Sequence, residues 1–212
     1  AVVWADDAHA PRVEELARMR GNALVTVGEH GETLKLVGRE PTLLGQKLKI
    51  EAAGQVHQVT LPLIGAYQAA NALVAAGLVI ATGGEVARTI ADLGRLQPVR
   101  GRLERAAITR VGAPVYVDYA HTPDAIEAAI AALKPHASGR LILVLGAGGD
   151  RDTGKREPMG QAAAAGADMV IVTDDNPRSE DPAQIRAAVM KGAPGATEIA
   201  GRREAIAAAI AA

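Results

Sequence analysis

Val170-Ile171-Val172-Thr173-Asp174-Asp175-Asn176-Pro177-Arg178 decides how the rest of the chain is read. An apolar, β-branched run passes directly into charge and a proline. That is the pattern of a buried parallel strand handing over to a binding loop. The loop offers two carboxylates, an amide and a guanidinium. An arginine beside a stiff Asn-Pro turn presents two parallel donors to a carboxylate ligand, with Pro177 fixing the backbone beneath it. The structural alternative has Asp175 capping the next helix and Arg178 pairing with a surface acid.

The same alternation extends to both sides of this stretch. Val115–Val117, Leu141–Leu145, Met169–Thr173 and Thr197–Ile199 predict strands. Pro123–Leu133, roughly Pro158–Ala165, Pro182–Met190 and Arg203–Ala212 predict the helices that follow them. Four such β-α units imply an α/β fold with a Rossmann-like, doubly wound parallel sheet. In open sheets of this kind, ligands bind beyond the carboxyl ends of the strands. The polar clusters fall there: Asp118-Tyr119-Ala120-His121-Thr122-Pro123, Gly146-Ala147-Gly148-Gly149-Asp150-Arg151-Asp152, Asp174 to Arg178, and Gly201-Arg202-Arg203.

Upstream the pattern is mixed. Gln97-Pro98-Val99-Arg100-Gly101-Arg102 reads as a linker, which divides the chain into residues 1–97 and 98–212. Before it, Val2–Ala5 and Ala23–Val27 predict strands and Pro11–Met19 a helix. Thr33–Val37, Gln46–Ala52 and Gln55–Leu61 alternate as a half-exposed antiparallel sheet does. Gly65–Thr82 is an Ala-rich helix bounded by Gly83-Gly84, and Glu85–Leu93 is a second helix ending at Gly94.

Composition narrows the function classes. Of 212 residues, 49% are apolar, but there is no Phe and only one Trp, so Ala, Val, Leu and Ile must build the core. A formal charge of −1 gives no electrostatic basis for nucleic-acid or membrane-surface binding. The lack of cysteine excludes disulfides, thiolate metal sites and cysteine nucleophiles within these residues. No apolar run reaches the roughly 18 residues of a membrane span. Ala1-Val2-Val3-Trp4 opens as a strand under way and Arg203–Ala212 runs out uncapped, which reads as a piece of a longer protein.

Gly149-Asp150-Arg151-Asp152-Thr153-Gly154-Lys155-Arg156 nearly matches the phosphate loop G-x-x-x-x-G-K-[ST], but Arg156 stands where a hydroxyl should hold magnesium. A phosphate-loop NTPase using Gly149–Lys155 is therefore one alternative, and a plain strand-to-helix turn another. The preferred reading has the glycines let Arg151 swing over a cleft shared with Arg178. Two arginines and the Asn176 amide suit carboxylates, and Asp174 and Asp175 suit an ammonium group. Together they describe an amino acid with an extra carboxylate.

Five ordered motifs resemble those of the Mur ligases. Leu63-Ile64-Gly65-Ala66-Tyr67-Gln68-Ala69-Ala70-Asn71 resembles their L-x-G-x-Y/H-N-x-x-N segment, with Gln68 in place of the first asparagine. Gly101-Arg102-Leu103-Glu104 resembles their hinge, and Asp118 to Pro123 their D-Y-A-H turn. Gly148 to Asp152 and Asp175 to Arg178 resemble the pair marking the branch that adds meso-diaminopimelate to a UDP-N-acetylmuramoyl dipeptide.

The resemblance implies a cytoplasmic, ATP- and Mg2+-dependent ligase of peptidoglycan synthesis working through an acyl phosphate. Residues 1–97 are then the second half of a central, mixed α/β ATPase domain, and 98–212 most of an amino-acid-binding domain. It further implies that Asn71, Arg102, Asp118 and His121 contact ATP, and that Arg151, Asp175, Asn176 and Arg178 bind the amino acid. Ordinary roles stay open beside these: a packing amide at Asn71, a linker charge at Arg102, a helix cap at Asp118, a helix start at His121. The family's G-T-N-G-K-T loop, its carbamylated lysine and its metal-binding Glu and His have no counterpart here. The catalytic groups are thus expected elsewhere in the parent protein, and the 212 residues alone are expected to show no turnover. A binding module that only senses an amino-acid dicarboxylate is the remaining alternative.

Overall fold

Period-two alternation builds the first unit, Ala1–Val99, of the computed structural model, which describes residues 1–212. Strands β1 (Val2–Trp4), β2 (Val25–Gly28), β3 (Leu34–Thr42), β4 (Gly45–Ala52) and β5 (Gln55–Leu61) form one sheet in that order. β1, β2 and β3 run parallel, whereas β3, β4 and β5 are antiparallel neighbours. In β4, buried Leu48, Ile50 and Ala52 alternate with exposed Lys47, Lys49 and Glu51, as a strand with one wet face requires.

Helix α1 (Ala10–Met19) packs on β1, α2 (Ala66–Ala81) lies on β1 and β2, and α3 (Val86–Asp92) follows. Ala69, Ala72, Leu73 and Ala76 form the buried stripe of α2 at helical spacing. Small residues bring this helix close: a Cβ on Gly77 would lie 2.9 Å from the Val2 side chain and 3.0 Å from that of Val27. Gln46 is fully buried, and its Nε2 donates to the carbonyls of Leu63 (3.0 Å) and Gly65 (2.9 Å). That fixes the approach to α2.

The second unit is Arg100–Ala212. Here β8 (Ile142–Leu145), β9 (Met169–Val172) and β10 (Thr197–Glu198) form a parallel sheet in the order β10-β9-β8. Helices α4 (Pro123–Leu133), α5 (Arg156–Gly166) and α6 (Pro182–Gly192) make one layer, with α5 against both others. Val170 and Val172 join Ile126, Ile130, Met159, Ala163 and Val189 in that core. Ile171, of opposite facing and equally buried, lies outside it, on the side where α7 (Arg202–Ala211) covers β8 and β9. The sheet is wound on both faces, as expected.

One detail of the expected sheet differs. Val115–Val117 does not join the parallel ladder. It belongs to β7 (Pro114–Val117), paired antiparallel with β6 (Glu104–Ile108), a strand that the sequence pattern had not marked. The turn between them is local: Thr109 N donates to Ala113 O at 2.8 Å, and Gly112 has φ +87°. β6 is exposed along most of its length, so no buried face writes a period-two signal into it.

Candidate functional site

The first candidate cluster is built by the loops after β8 and β9. They are joined backbone to backbone, with the Gly149 amide donating to the Asn176 carbonyl at 2.9 Å. A Cβ on Gly149 would sit 1.9 Å from the Pro177 carbonyl oxygen, so the approach needs glycine. Arg178 lies across the junction, its Nη1 donating to Gly149 O at 2.7 Å and Asn176 O at 3.4 Å. Arg178 and Asp150 both have φ +51°, left-handed conformations that L side chains rarely adopt.

The Asp150 carboxylate accepts the Ser179 hydroxyl at 2.7 Å and the Ser179 amide at 3.1 Å. These bonds, hydroxyl first, hold its carboxyl below the usual range, with Arg178 and Arg151 adding attraction. Arg151 directly follows Asp150 and Arg178 directly precedes Ser179, so the Asp150–Ser179 bonds bring the two arginines' positions on the adjoining loops together. Both are exposed, as are Asp175 and Asn176. Asp175 Oδ1 accepts the Asn176 amide at 2.8 Å, bracing its own turn.

One expectation is corrected here, for Asp174, and two alternatives fall away, the Asp175 cap and the phosphate loop. Asp174 forms an ion pair with Arg186, which also binds Glu198 at 2.7 Å, so it is committed to the fold and not to a ligand ammonium. Asp175 does not cap the next helix; Asp181 does, accepting the Ala183 amide at 2.9 Å. Gly149–Lys155 does not form a phosphate cradle. Such a loop needs free amides aimed at the ligand. Instead Gly149 N serves Asn176, Asp150 N serves Glu180, Gly154 N serves Asp152, and Arg156 N serves Thr153.

The second cluster joins Arg102, Asp118 and His121. Asp118 Oδ2 accepts the Leu103 amide and Oδ1 the Ala120 amide, both at 2.8 Å. The Tyr119 amide donates to Gly101 O at 2.8 Å, and the Gly101 amide to Glu104 Oε2 at 2.9 Å. The carboxylate thus ties the Gly101–Glu104 turn, where Leu103 has φ +46°, to the end of β7. The helix cap is Thr122, whose hydroxyl accepts the Ala125 amide, so the capping role considered for Asp118 falls away. The Arg102 guanidinium sits 5.6 Å from the centroid of the Tyr119 ring, and the His121 ring meets that ring edge-on at 5.1 Å. A cation, a carboxylate, an imidazole and an exposed aromatic face meet at one strand end, a set able to hold a ribose and phosphates.

Asn71 belongs to the first unit. It is exposed on α2, not a packing amide, and its Nδ2 reaches Gln68 Oε1 at 3.4 Å. Gln68, the departure from the motif, is the buried partner. No group of three or more His, Asp or Glu side chains is placed to hold a metal ion by itself.

No pattern in the sequence marks Arg156, Ser179 and Glu180, which join the loops after β8 and β9. By sequence Arg156 stands out solely as the wrong residue for a phosphate loop. Charged residues are rarely buried, so a lone charge at a helix start is read as surface.

Two α/β units, the second with its polar loops gathered at strand ends, define a ligand-binding protein of the doubly wound class. The chain belongs to the Mur ligase family: the Mur ligase glutamate ligase domain matches residues 101–212 and the Mur ligase middle domain residues 1–79. A UDP-N-acetylmuramoyl-L-alanyl-D-glutamate–2,6-diaminopimelate ligase of Zymomonas mobilis is 57% identical over 210 residues, 99% of this chain and 43% of that protein. The enzyme of that name from Caulobacter vibrioides is 53% identical, over 100% of this chain and 43% of its own length. A solved structure of such a ligase covers 97% of this chain and 44% of its own, at 35% identity and TM-score 0.70. A Mycobacterium tuberculosis folylpolyglutamate synthase complexed with ADP shares the fold at TM-score 0.73 and 24% identity, covering 100% of this chain and 47% of that one. The chain thus spans less than half the length of the curated relatives it matches.

Proposed function

We propose that this chain supplies the amino-acid site and part of the nucleotide site of an ATP-dependent ligase adding meso-diaminopimelate to UDP-N-acetylmuramoyl-L-alanyl-D-glutamate. The observation that carries the reading is that Arg151 and Arg178 stand on two loops joined by the Gly149–Asn176 backbone bond and by the Asp150–Ser179 bonds. Diaminopimelate differs from lysine by a carboxylate at its far end, the group a guanidinium fork recognises. Asp175 and Asn176 present a carboxylate and an amide beside it. Arg102, Asp118 and His121 take the ribose and phosphates.

ATP, when bound, supplies the phosphoryl group that turns a substrate carboxylate into an acyl phosphate open to attack by the amine. The residues here orient nucleotide and amine, which is where much of such a rate gain originates. Magnesium belongs to this reading as the partner of the nucleotide phosphates, since no cluster of three or more acidic or imidazole side chains here would hold it alone. ATP dependence and a UDP-linked substrate point to a cytoplasmic enzyme, and no helix is long and apolar enough to cross a membrane.

The test is ligation kinetics in the full-length protein that contains these residues. Arg178→Ala is expected to raise KM for meso-diaminopimelate about 10- to 100-fold, the worth of a charged hydrogen-bonding group, with KM for ATP unchanged. Equal use of lysine by the unaltered enzyme, or an unchanged KM in the variant, rejects the reading.

A further inference from the structure

Arg151 and Arg178 reach one substrate only if the two loops keep a fixed spacing, and the group that sets this spacing lies beneath them. Arg156, the first residue of α5, is 5% exposed. Its guanidinium meets Glu180 fork to fork, Nη1 to Oε2 and Nη2 to Oε1, both at 2.8 Å. Nη2 also donates to Gly148 O at 3.2 Å. Glu180 Oε1 accepts the Asp150 amide at 2.5 Å as well. One carboxylate from the β9 loop thus binds both the backbone of the β8 loop and the helix that follows it.

An ion pair between a buried guanidinium and a part-exposed carboxylate is a weak device for stability, because desolvation of the arginine and screening of the carboxylate offset most of the attraction. Its advantage is directional: a bidentate pair fixes distance and angle where apolar packing would fix neither. Glu180 lies two residues beyond Arg178, and Asp150 directly precedes Arg151. Ser179, between Arg178 and Glu180, binds Asp150 through both its hydroxyl and its amide. Asp150 and Arg178 hold left-handed backbone conformations that only a constrained surrounding maintains.

We propose that Arg156 and Glu180, which touch no substrate, are positioning residues that lock the two loops into one preformed clamp for the amino-acid substrate. The proposal rests on the amino-acid reading above and adds that affinity for this substrate alone depends on this pair.

The test measures KM for meso-diaminopimelate, for ATP and for the UDP-linked dipeptide in the full-length enzyme. The variants are Arg156→Lys, Glu180→Gln and Ser179→Ala, with Arg178→Ala alongside. Arg156→Lys keeps the charge and loses the fork. It and Glu180→Gln are expected to raise KM for the amino acid on the order of tenfold, with the other two KM values within about twofold. Ser179→Ala, at an exposed side chain, is expected to raise it a few-fold, and decides the matter if the other two variants do not fold. The proposal is overturned if Arg178→Ala raises KM for the amino acid while the others leave it unchanged or raise all three KM values alike. If Arg178→Ala has no effect either, the amino-acid reading fails, and the clamp with it.

Discussion

Glu180 binds two partners through one carboxylate, so its ionisation is linked to the folded state. The Arg156 guanidinium, followed by the Asp150 amide, holds its carboxyl below the ordinary value, and Ser179 does the same for Asp150. At Asp6 burial opposes ionisation, yet the amides of Glu29 and His30 and the His30 ring outweigh it and lower the value. A carboxyl depressed by folding binds protons more readily when unfolded. Its contribution is therefore complete above the ordinary carboxylate range and lost as pH falls through the lowered folded value. The urea midpoint should stay level from about pH 7 to 5 and drop below about pH 4. Glu180→Gln should shallow that drop, and an acid limb identical to the parent's would contradict the assignment. Thr122→Ala should cost about 1 kcal/mol in the same assay through the lost cap of α4. Arg178 and Asn176 were legible because they follow an apolar run at a strand end. Arg156 and Glu180 were not, since nothing in the order of residues says that a particular charge will be enclosed.

Helix α5 meets α6 through glycine. A Cβ on Gly160 would lie 2.1 Å from the Val189 carbonyl oxygen, and one on Gly192 2.0 Å from that of Glu157. The backbones touch, so the two helices that follow the β8 and β9 loops have little freedom to slide. Gly160→Ala would gain about 1 kcal/mol of helix propensity. The contact should more than cancel it, for a net loss of about 1–2 kcal/mol in chemical denaturation, since overpacking costs about 1–3 kcal/mol. A stabilised variant would show that the helices move apart freely. Element type was legible wherever a core enforces a period, as in α2 with its stripe from Ala69 to Ala76 and in β4 with Leu48, Ile50 and Ala52. It failed at β6, where Arg105, Ala106, Ala107 and Ile108 are exposed and pairing with β7 comes from the turn. There Gly101, Pro98 and the arginines near them read as linker.

Across the whole chain, aliphatic residues form two separate cores, one around Leu48, Ile50, Leu61 and Leu73, the other around Met159, Val172 and Val189. Trp4, the single tryptophan, packs against the first. Its fluorescence thus reports the unfolding of Ala1–Val99. Leu73→Ala, at a fully buried site, should lower the stability read from that signal by about 2–5 kcal/mol. A shift under about 1 kcal/mol would mean that the cavity collapses. The left-handed backbone at Arg178 carries a different consequence, for heredity. Glycine there would relieve about 1 kcal/mol of strain, but it gives up the bond to Gly149 O and frees the unfolded chain by a similar amount, so Arg178→Gly should melt close to the parent while losing the amino acid of the proposed reaction. A lineage screened for heat tolerance alone would be indifferent between the two residues at this codon. One that depends on the ligation proposed above would keep the arginine.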